Sequence, residues 1–191
     1  MEMVCFDLET GGLNPFKNGV CSITLKVVGK EIIKNIFIKP QRGLTYEPIA
    51  LQINGLDLEY LERVGVTEGI AIQQIKEFFR DNFNQKPNML AHNIVFDIQF
   101  MNAMFQRNRH KLFSDLCWCH PQDTMIYMSM LKQSGIVNLR SIKLTECYKY
   151  FFGKYFEKAH TSEADVRACE AVFFKIKELL ESKNGKEVVN N

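Results

Sequence analysis

Apolar residues near the start of the chain recur at every second position, the period of a half-buried strand. Residues 3–8 read as a first strand, with Cys5, Asp7 and Glu9 on one face and Val4, Phe6 and Leu8 on the other. In a second strand Cys21, Ile23, Leu25 and Val27 alternate with Ser22, Thr24 and Lys26, and residues 31–38 form a third. Gly29-Lys30 supplies a hairpin turn between these two. The period then lengthens. Thr67 caps a predicted helix that places Ile72, Ile75 and Phe79 on one face, and residues 87–91 form a short apolar strand. Helices are predicted over 94–109, 121–133, 139–150 and 161–181 from apolar residues three and four apart. Antiparallel strands followed by helices and further strands indicate an α/β domain with a mixed sheet.

Two of the helical stripes contain an acid. Asp97 lies in line with Phe100, Met101, Met104 and Phe105, and Asp165 heads the stripe of Ala168, Cys169, Val172, Phe173 and Ile176. Either aspartate alone is accounted for by the favourable dipole at a helix N-terminus, and Asp7 with Glu9 by a solvated strand end. Two such coincidences together with the strand pair are harder to dismiss. Brought to about 4 Å, each pair of these charges costs roughly 4 kcal/mol at an effective dielectric of about 20. Only protons or cations hold such a cluster together. An all-oxygen donor set selects Mg²⁺ or Mn²⁺ over zinc. Two such ions stabilise the attacking and leaving oxygens of a phosphodiester displacement, which points to a nucleic-acid substrate.

Composition narrows the setting. A chain of 191 residues suits one domain. With 24 Lys and Arg against 22 Asp and Glu there is no overall basic field, so any affinity for nucleic acid must be local. The opening residues lack the features of a signal peptide. No apolar run approaches the ~20 residues of a membrane span, so no membrane association is expected. The six cysteines lie mostly in apolar periodic segments, as buried thiols do in a reducing cytoplasm. Cys117-Trp118-Cys119-His120 has no second Cys/His pair at zinc-finger spacing. Residues 1–182 are expected to form the folded domain and 183–191 a frayed tail.

Three segments carry a resemblance. Phe6-Asp7-Leu8-Glu9-Thr10-Gly11-Gly12-Leu13 resembles the first exonuclease motif of DnaQ-like proteins, and Ala91-His92-Asn93-Ile94-Val95-Phe96-Asp97 resembles the second. His160-Thr161-Ser162-Glu163-Ala164-Asp165 resembles the third, with the His-x₄-Asp spacing of the DEDDh subclass. The three occur in family order from residue 6 to residue 165. The resemblance implies a ribonuclease-H-like fold, a five-stranded mixed sheet flanked by helices, with 1–182 as the exonuclease domain. It implies a 3′→5′ exonuclease that hydrolyses terminal phosphodiesters of DNA, at single-stranded 3′ ends, to nucleoside 5′-monophosphates.

By the same resemblance Asp7, Glu9, Asp97 and Asp165 hold two Mg²⁺ or Mn²⁺ ions. Asp7, Glu9 and Asp165 serve one, Asp7 shares the second, and Asp97 acts partly through water. His160, just before the helix bearing Asp165, is the general base, a task suited to a side chain that titrates near neutral pH. Thr10, Leu13 and Asn93 are substrate-binding positions, with Leu13 as an apolar wedge against the terminal base. Gln52-Ile53-Asn54-Gly55-Leu56, Asp123-Thr124 and Asn138-Leu139-Arg140-Ser141-Ile142 resemble linking segments and are assigned no catalytic role. His92, His110 and His120 are likewise given none. Thr10-Gly11-Gly12 replaces the Thr-Thr-Gly frequent in the family, and the extra glycine is expected to loosen the loop beside the terminal base.

Two rival functions share these residues: an exoribonuclease of the same superfamily, and a non-catalytic scaffold that binds nucleic acid or a polymerase. The first motif departs from the Trp-x-Asp-x-Glu-Met-Thr-Gly pattern of oligoribonucleases, which favours DNA. A scaffold would be expected to lose ligands, and none is lost. The expected partner is nucleic acid, with a DNA polymerase added if the chain proofreads. The expected setting is the bacterial cytoplasm, for a bacterial or phage-encoded protein.

Overall fold

The strand that carries Asp7 and Glu9 lies at the centre of the sheet because both its faces are covered by helices. In the computed structural model, which describes residues 2–157 and 159–187 with side chains as far as Ser182, the strands are β1 (Met3–Thr10), β2 (Val20–Val27), β3 (Ile33–Phe37), β4 (Asn88–Ala91) and β5 (Gln122–Asp123). Their order is β3-β2-β1-β4-β5. The β1–β2 and β2–β3 pairs are antiparallel, and β1–β4 and β4–β5 are parallel. The helices are α1 (Pro48–Asn54), α2 (Leu58–Val64), α3 (Glu68–Asn82), α4 (Ile94–Arg107), α5 (Thr124–Gln133), α6 (Leu144–Phe152) and α7 (Ser162–Glu187), with a 3-10 turn at Phe113–Leu116. This is the five-stranded mixed sheet of a ribonuclease-H-like fold.

Val4, Phe6 and Leu8 join Ile23 and Leu25 in one core with Ile72, Ile75 and Phe79 of α3 and Phe100 and Met104 of α4. Phe6 meets Phe113 edge to face at 5.2 Å between centroids. On the opposite face Cys5 and Leu90 pack against Val166, Cys169 and Phe173 of α7. Burying each such large apolar side chain contributes about 1.5–3 kcal/mol.

The polar positions of β2 are buried as well, because α7 lies over them. Ser22 is paired across the sheet with Glu9, Thr24 with Asp7 and Lys26 with Cys5. The hydroxyl of Ser162 lies 3.1 Å from that of Ser22 and 2.8 Å from that of Thr24. Four residues along β2 from Ser22, Lys26 pairs with Glu170 at 2.7 Å and donates to the Lys30 carbonyl at 2.6 Å. A cluster of three hydroxyls and an ion pair therefore fix the first three turns of α7 over the acidic face of β1.

Several boundaries differ from expectation. The helix expected over 121–133 starts at Thr124, because Gln122 and Asp123 pair with Leu90 and Ala91 as β5. The helix expected over 139–150 occupies Leu144–Phe152, since Lys143 is extended at φ −58°, ψ 147° and caps it. Two seven-residue helices, α1 and α2, fall where no element was expected. Of the expected tail 183–191, residues 183–187 continue α7 and 188–191 lie outside the described residues. No helix among the described residues is long and apolar enough to cross a membrane.

Candidate active site

The last turn of pleat in β1 points Asp7 and Glu9 toward α7, and a register shift between Glu9 and Thr10 ends the regular pairing there. Asp165 enters from the first turn of α7, where Thr161 accepts the N–H of Ala164. One carboxylate oxygen each from Asp7, Glu9 and Asp165 lie within 4.8 Å of one another. Asp97, 3% exposed in the first turn of α4, stands outside this trio but next to Asp7.

Their proton affinities reflect this crowding. Burial, then the charges of Asp97, Asp165 and Glu9, raises Asp7 well above the ordinary carboxylate range. Glu9 is pushed up to about 8 by burial and the charges of Asp165 and Asp97. Burial lifts Asp97, against the opposing effect of hydrogen bonds from the Leu8 and Asp97 backbone. Asp165 rises to about 6 through burial, and the charge and backbone N–H of His160 oppose that rise. Four acids that all resist ionisation form a cluster short of positive charge. Their oxygen donors and proximity fit hard divalent cations.

His160 is exposed, with φ 69°, and its backbone N–H donates to Asp165 Oδ2 at 3.1 Å. The bend at this residue brings the chain back across the entrance of α7, so residue 160 and Asp165 share one edge of the site.

Asp97 is aimed by Asp123, a residue assigned no role from the sequence. Asp123 caps α5, accepting from Met125 N–H at 2.9 Å, and its two oxygens also accept from Asn93 and Ile94 N–H, both at 3.0 Å. One buried carboxylate thus satisfies the free donors of two helix N-termini. Asn93 itself adopts φ 70°, a conformation asparagine tolerates, and its side chain is exposed. His92 bridges Thr124 Oγ1 at 2.8 Å and the Ile142 carbonyl at 2.9 Å, the satisfied structural histidine that was expected.

Beside the carboxylates a cavity of about 310 Å³ is lined by Glu9, Thr10, Leu13, Ile49, Ile53 and Phe96, among others. Leu13 is 82% exposed, so it is no part of the core. Thr10 is buried and its hydroxyl donates to the Gly12 carbonyl at 2.7 Å. Asn93 does not line this cavity. The wall contributed by α1 was missed. Its signal was Ile49 and Ile53, four residues apart and both exposed, on a short helix with Pro48 at its start and Gly55 at its end. The loop is also not loosened by the extra glycine, Gly11. Gly11 packs so closely on Tyr46 that a Cβ would come within 2.6 Å of its ring, while Gly11 N–H donates to Gly19 and its carbonyl accepts from Glu47.

Cys117 is buried and Cys119 exposed, and no metal-like cluster includes them among the described residues.

A ribonuclease-H-like sheet with carboxylates gathered at the end of its central strand defines a class of metal-dependent nucleases. The chain matches the RNase_T exonuclease family over residues 4–173 and belongs to that family. It is a 3′→5′ exonuclease of the DnaQ-like DEDDh superfamily, whose members use divalent metal ions. It is 27% identical to Ribonuclease T of Blochmanniella pennsylvanica (strain BPEN) over 184 residues, covering 89% of this chain and 81% of that one. Ribonuclease T of Histophilus somni (strain 129Pt) is 27% identical over 56% of this chain and 55% of its own. Among solved structures, E. coli Exonuclease I in complex with a dT13 oligonucleotide superposes with a TM-score of 0.78 at 20% identity, over 97% of this chain and 43% of that one. A product-bound exonuclease I gives 0.75 at 20% identity, over 95% and 43%. The chain thus spans less than half the length of these structural neighbours.

Proposed function

We propose that the chain removes nucleoside 5′-monophosphates one at a time from the 3′ ends of single-stranded DNA. The observation that carries this reading is the acidic trio of Asp7, Glu9 and Asp165 opening beside a cavity walled by exposed apolar side chains. Asp7, Glu9, Asp97 and Asp165 would hold two Mg²⁺ or Mn²⁺ ions. Ions held by these carboxylates would neutralise the cluster and would supply charge stabilisation for a phosphodiester displacement.

The chain's own groups do the rest. His160 takes the proton of the attacking water at its imidazole nitrogen, Leu13 packs on the terminal base, and Thr10 holds the turn that presents Leu13. Asn93 meets the strand from the start of α4. The Thr10 hydroxyl and the Asn54 amide are both engaged with backbone carbonyls. The dT13 complex of the structural neighbour agrees with a DNA substrate.

The second reading, an exoribonuclease, draws on the relatives named Ribonuclease T. Matched single-stranded DNA and RNA oligomers with Mg²⁺ or Mn²⁺ decide between them. Faster loss of DNA from the 3′ end, as 5′-monophosphates, is expected. Preferential decay of RNA transfers the assignment, and release from 5′ ends or products bearing 3′-phosphate overturns both.

A further inference from the structure

No Lys or Arg lines the catalytic cavity among the described residues, yet a polyanionic strand has to be held against a group of carboxylates. Compensating charge is concentrated at the far end of α4. A concavity of about 850 Å³ there is lined by Lys76 of α3, Lys86 from the loop before β4, and Arg109, His110 and Lys111 after α4, with Asp115 as the acid in its described wall. All five basic side chains are exposed. Lys76 Nζ lies 2.9 Å from His110 Nδ1, so two of them already meet. No ion pair joins Lys76, Lys86, Arg109 or Lys111 to an acid among the described residues.

The helix dipole accounts for a cation at the end of α4. It does not account for Lys76 and Lys86, which arrive from other elements. Arg109 also occupies φ 58°, just past the helix end where Gly or Asn is the ordinary residue. A long cation is kept there against its backbone preference.

The concavity connects to the catalytic side. Arg107 donates to the Pro15 carbonyl at 3.0 Å, so the loop that bears Leu13 and the 76% exposed Phe16 runs to the same end of α4. Along the helix, Arg109 is about 18 Å from Asp97 at 1.5 Å per residue. A strand held at its 3′ end reaches that distance only with several nucleotides.

We propose that this basic concavity is a second nucleic-acid site, which binds phosphates of the single strand several nucleotides upstream of the 3′ end. The inference rests on the reading of the carboxylates as the place of cutting, and the test separates the two. The full-length chain is compared with a Lys76→Gln, Lys86→Gln, Arg109→Asn, Lys111→Gln variant, in which Asn suits the positive φ. Anisotropy of a labelled single strand, long enough to span both sites, is followed in chelator over a salt series. The expected result is a Kd weakened roughly tenfold or more and a log–log salt slope flattened by about 0.7 for each phosphate that the variant no longer neutralises. Turnover of a dinucleotide should be unchanged. The pair variant Lys76→Gln, Lys111→Gln should give an intermediate loss, which guards against misfolding of the fourfold variant. An unchanged Kd and salt slope overturns the proposal. A wild-type chain that binds in this manner but cleaves neither DNA nor RNA supports the concavity and overturns the catalytic reading instead.

Discussion

The hydroxyl of Ser162 lies 2.8 Å from that of Thr24, the residue paired across the sheet with Asp7. This contact places the first residue of α7 on the strand next to the acidic face of β1, three residues before Asp165. Ser162→Ala leaves the hydroxyls of Ser22 and Thr24 buried with one partner fewer, at a cost of about 1–3 kcal/mol. A fall in Tm of about 2–4 °C per kcal/mol is expected. Mn²⁺ affinity should fall with it, since Asp165 loses its anchor, and Ser162→Thr should restore part of both. A lowered Tm with unaltered Mn²⁺ titration would show that the contact holds α7 down without aiming Asp165.

Lys26 and Glu170 form a second tie between β2 and α7, with side chains 2% and 13% exposed. Glu170→Ala leaves the buried Lys26 ammonium with the Lys30 carbonyl at 2.6 Å and the exposed Glu31 at 4.0 Å, and is expected to destabilise by up to about 3 kcal/mol. The double variant Lys26→Met, Glu170→Ala removes both charges and should recover part of that loss. Urea unfolding of wild type, both singles and the double measures the coupling. If the double is no more stable than Glu170→Ala, packing and not charge governs this contact.

Leu13 is 82% exposed at the mouth of the cavity, so truncation creates no core void. Leu13→Ala should raise KM for the oligonucleotide while leaving Tm within about 2 °C, as exposed sites change stability by no more than about 0.5 kcal/mol. A drop in kcat at constant KM would instead assign Leu13 to alignment of the scissile bond.

Acidic groups whose folded proton affinity is raised make the metal-free protein less stable as pH rises. Glu9 moves up to about 8 and Asp165 to about 6, with Asp7 and Asp97 shifted in the same direction. Between the ordinary carboxylate range, about 4, and these values, the folded state binds more protons than the unfolded state, so stability falls with pH. The Tm in chelator is therefore expected to decline from about pH 5 to pH 8. Mn²⁺ should raise Tm more at pH 8 than at pH 5, because ligands that have lost their protons are free to bind it. A chelated protein that gains stability steadily across this window would contradict the clustered geometry.

The site was legible in the sequence where an acid interrupts a strong period. Asp97 and Asp165 lie on stripes whose apolar members are buried as expected, and β1 divides its two faces between two cores. Ser22, Thr24 and Lys26 were legible as one face of a strand but not as a buried one, because polar alternation does not reveal that hydroxyls and an ion pair await them on α7. β5 is two residues long and carries no period at all. Asp123 reads locally as a cap for α5, and only the fold brings Asn93 and Ile94 to its other side. The α1 wall escaped because none of its residues is buried, which leaves no core-facing stripe to detect.

His160 and Asp165 are joined by a 3.1 Å hydrogen bond, yet they are expected to fail differently when replaced. The bond uses the backbone N–H of His160, so His160→Ala can keep it, along with the carboxylates, and removes the imidazole at the cost of some backbone strain at φ 69°. Mn²⁺ binding should persist, while kcat falls by roughly 10²–10⁴-fold, the usual worth of general acid–base catalysis. Because hydroxide can replace the missing base, the rate of this variant should recover in part as pH rises. Asp165→Asn removes a ligand charge and keeps the shape. Metal affinity itself should drop, and higher pH should bring little recovery. In chelator the same variant should be more stable than wild type at pH 8, since a member of the crowded cluster can no longer ionise. Calorimetric Mn²⁺ titrations, Tm in chelator and pH–rate profiles of both variants separate the two roles. Wild-type turnover in His160→Ala would remove His160 from the reaction, and undiminished Mn²⁺ affinity in Asp165→Asn would remove Asp165 from the ligand set.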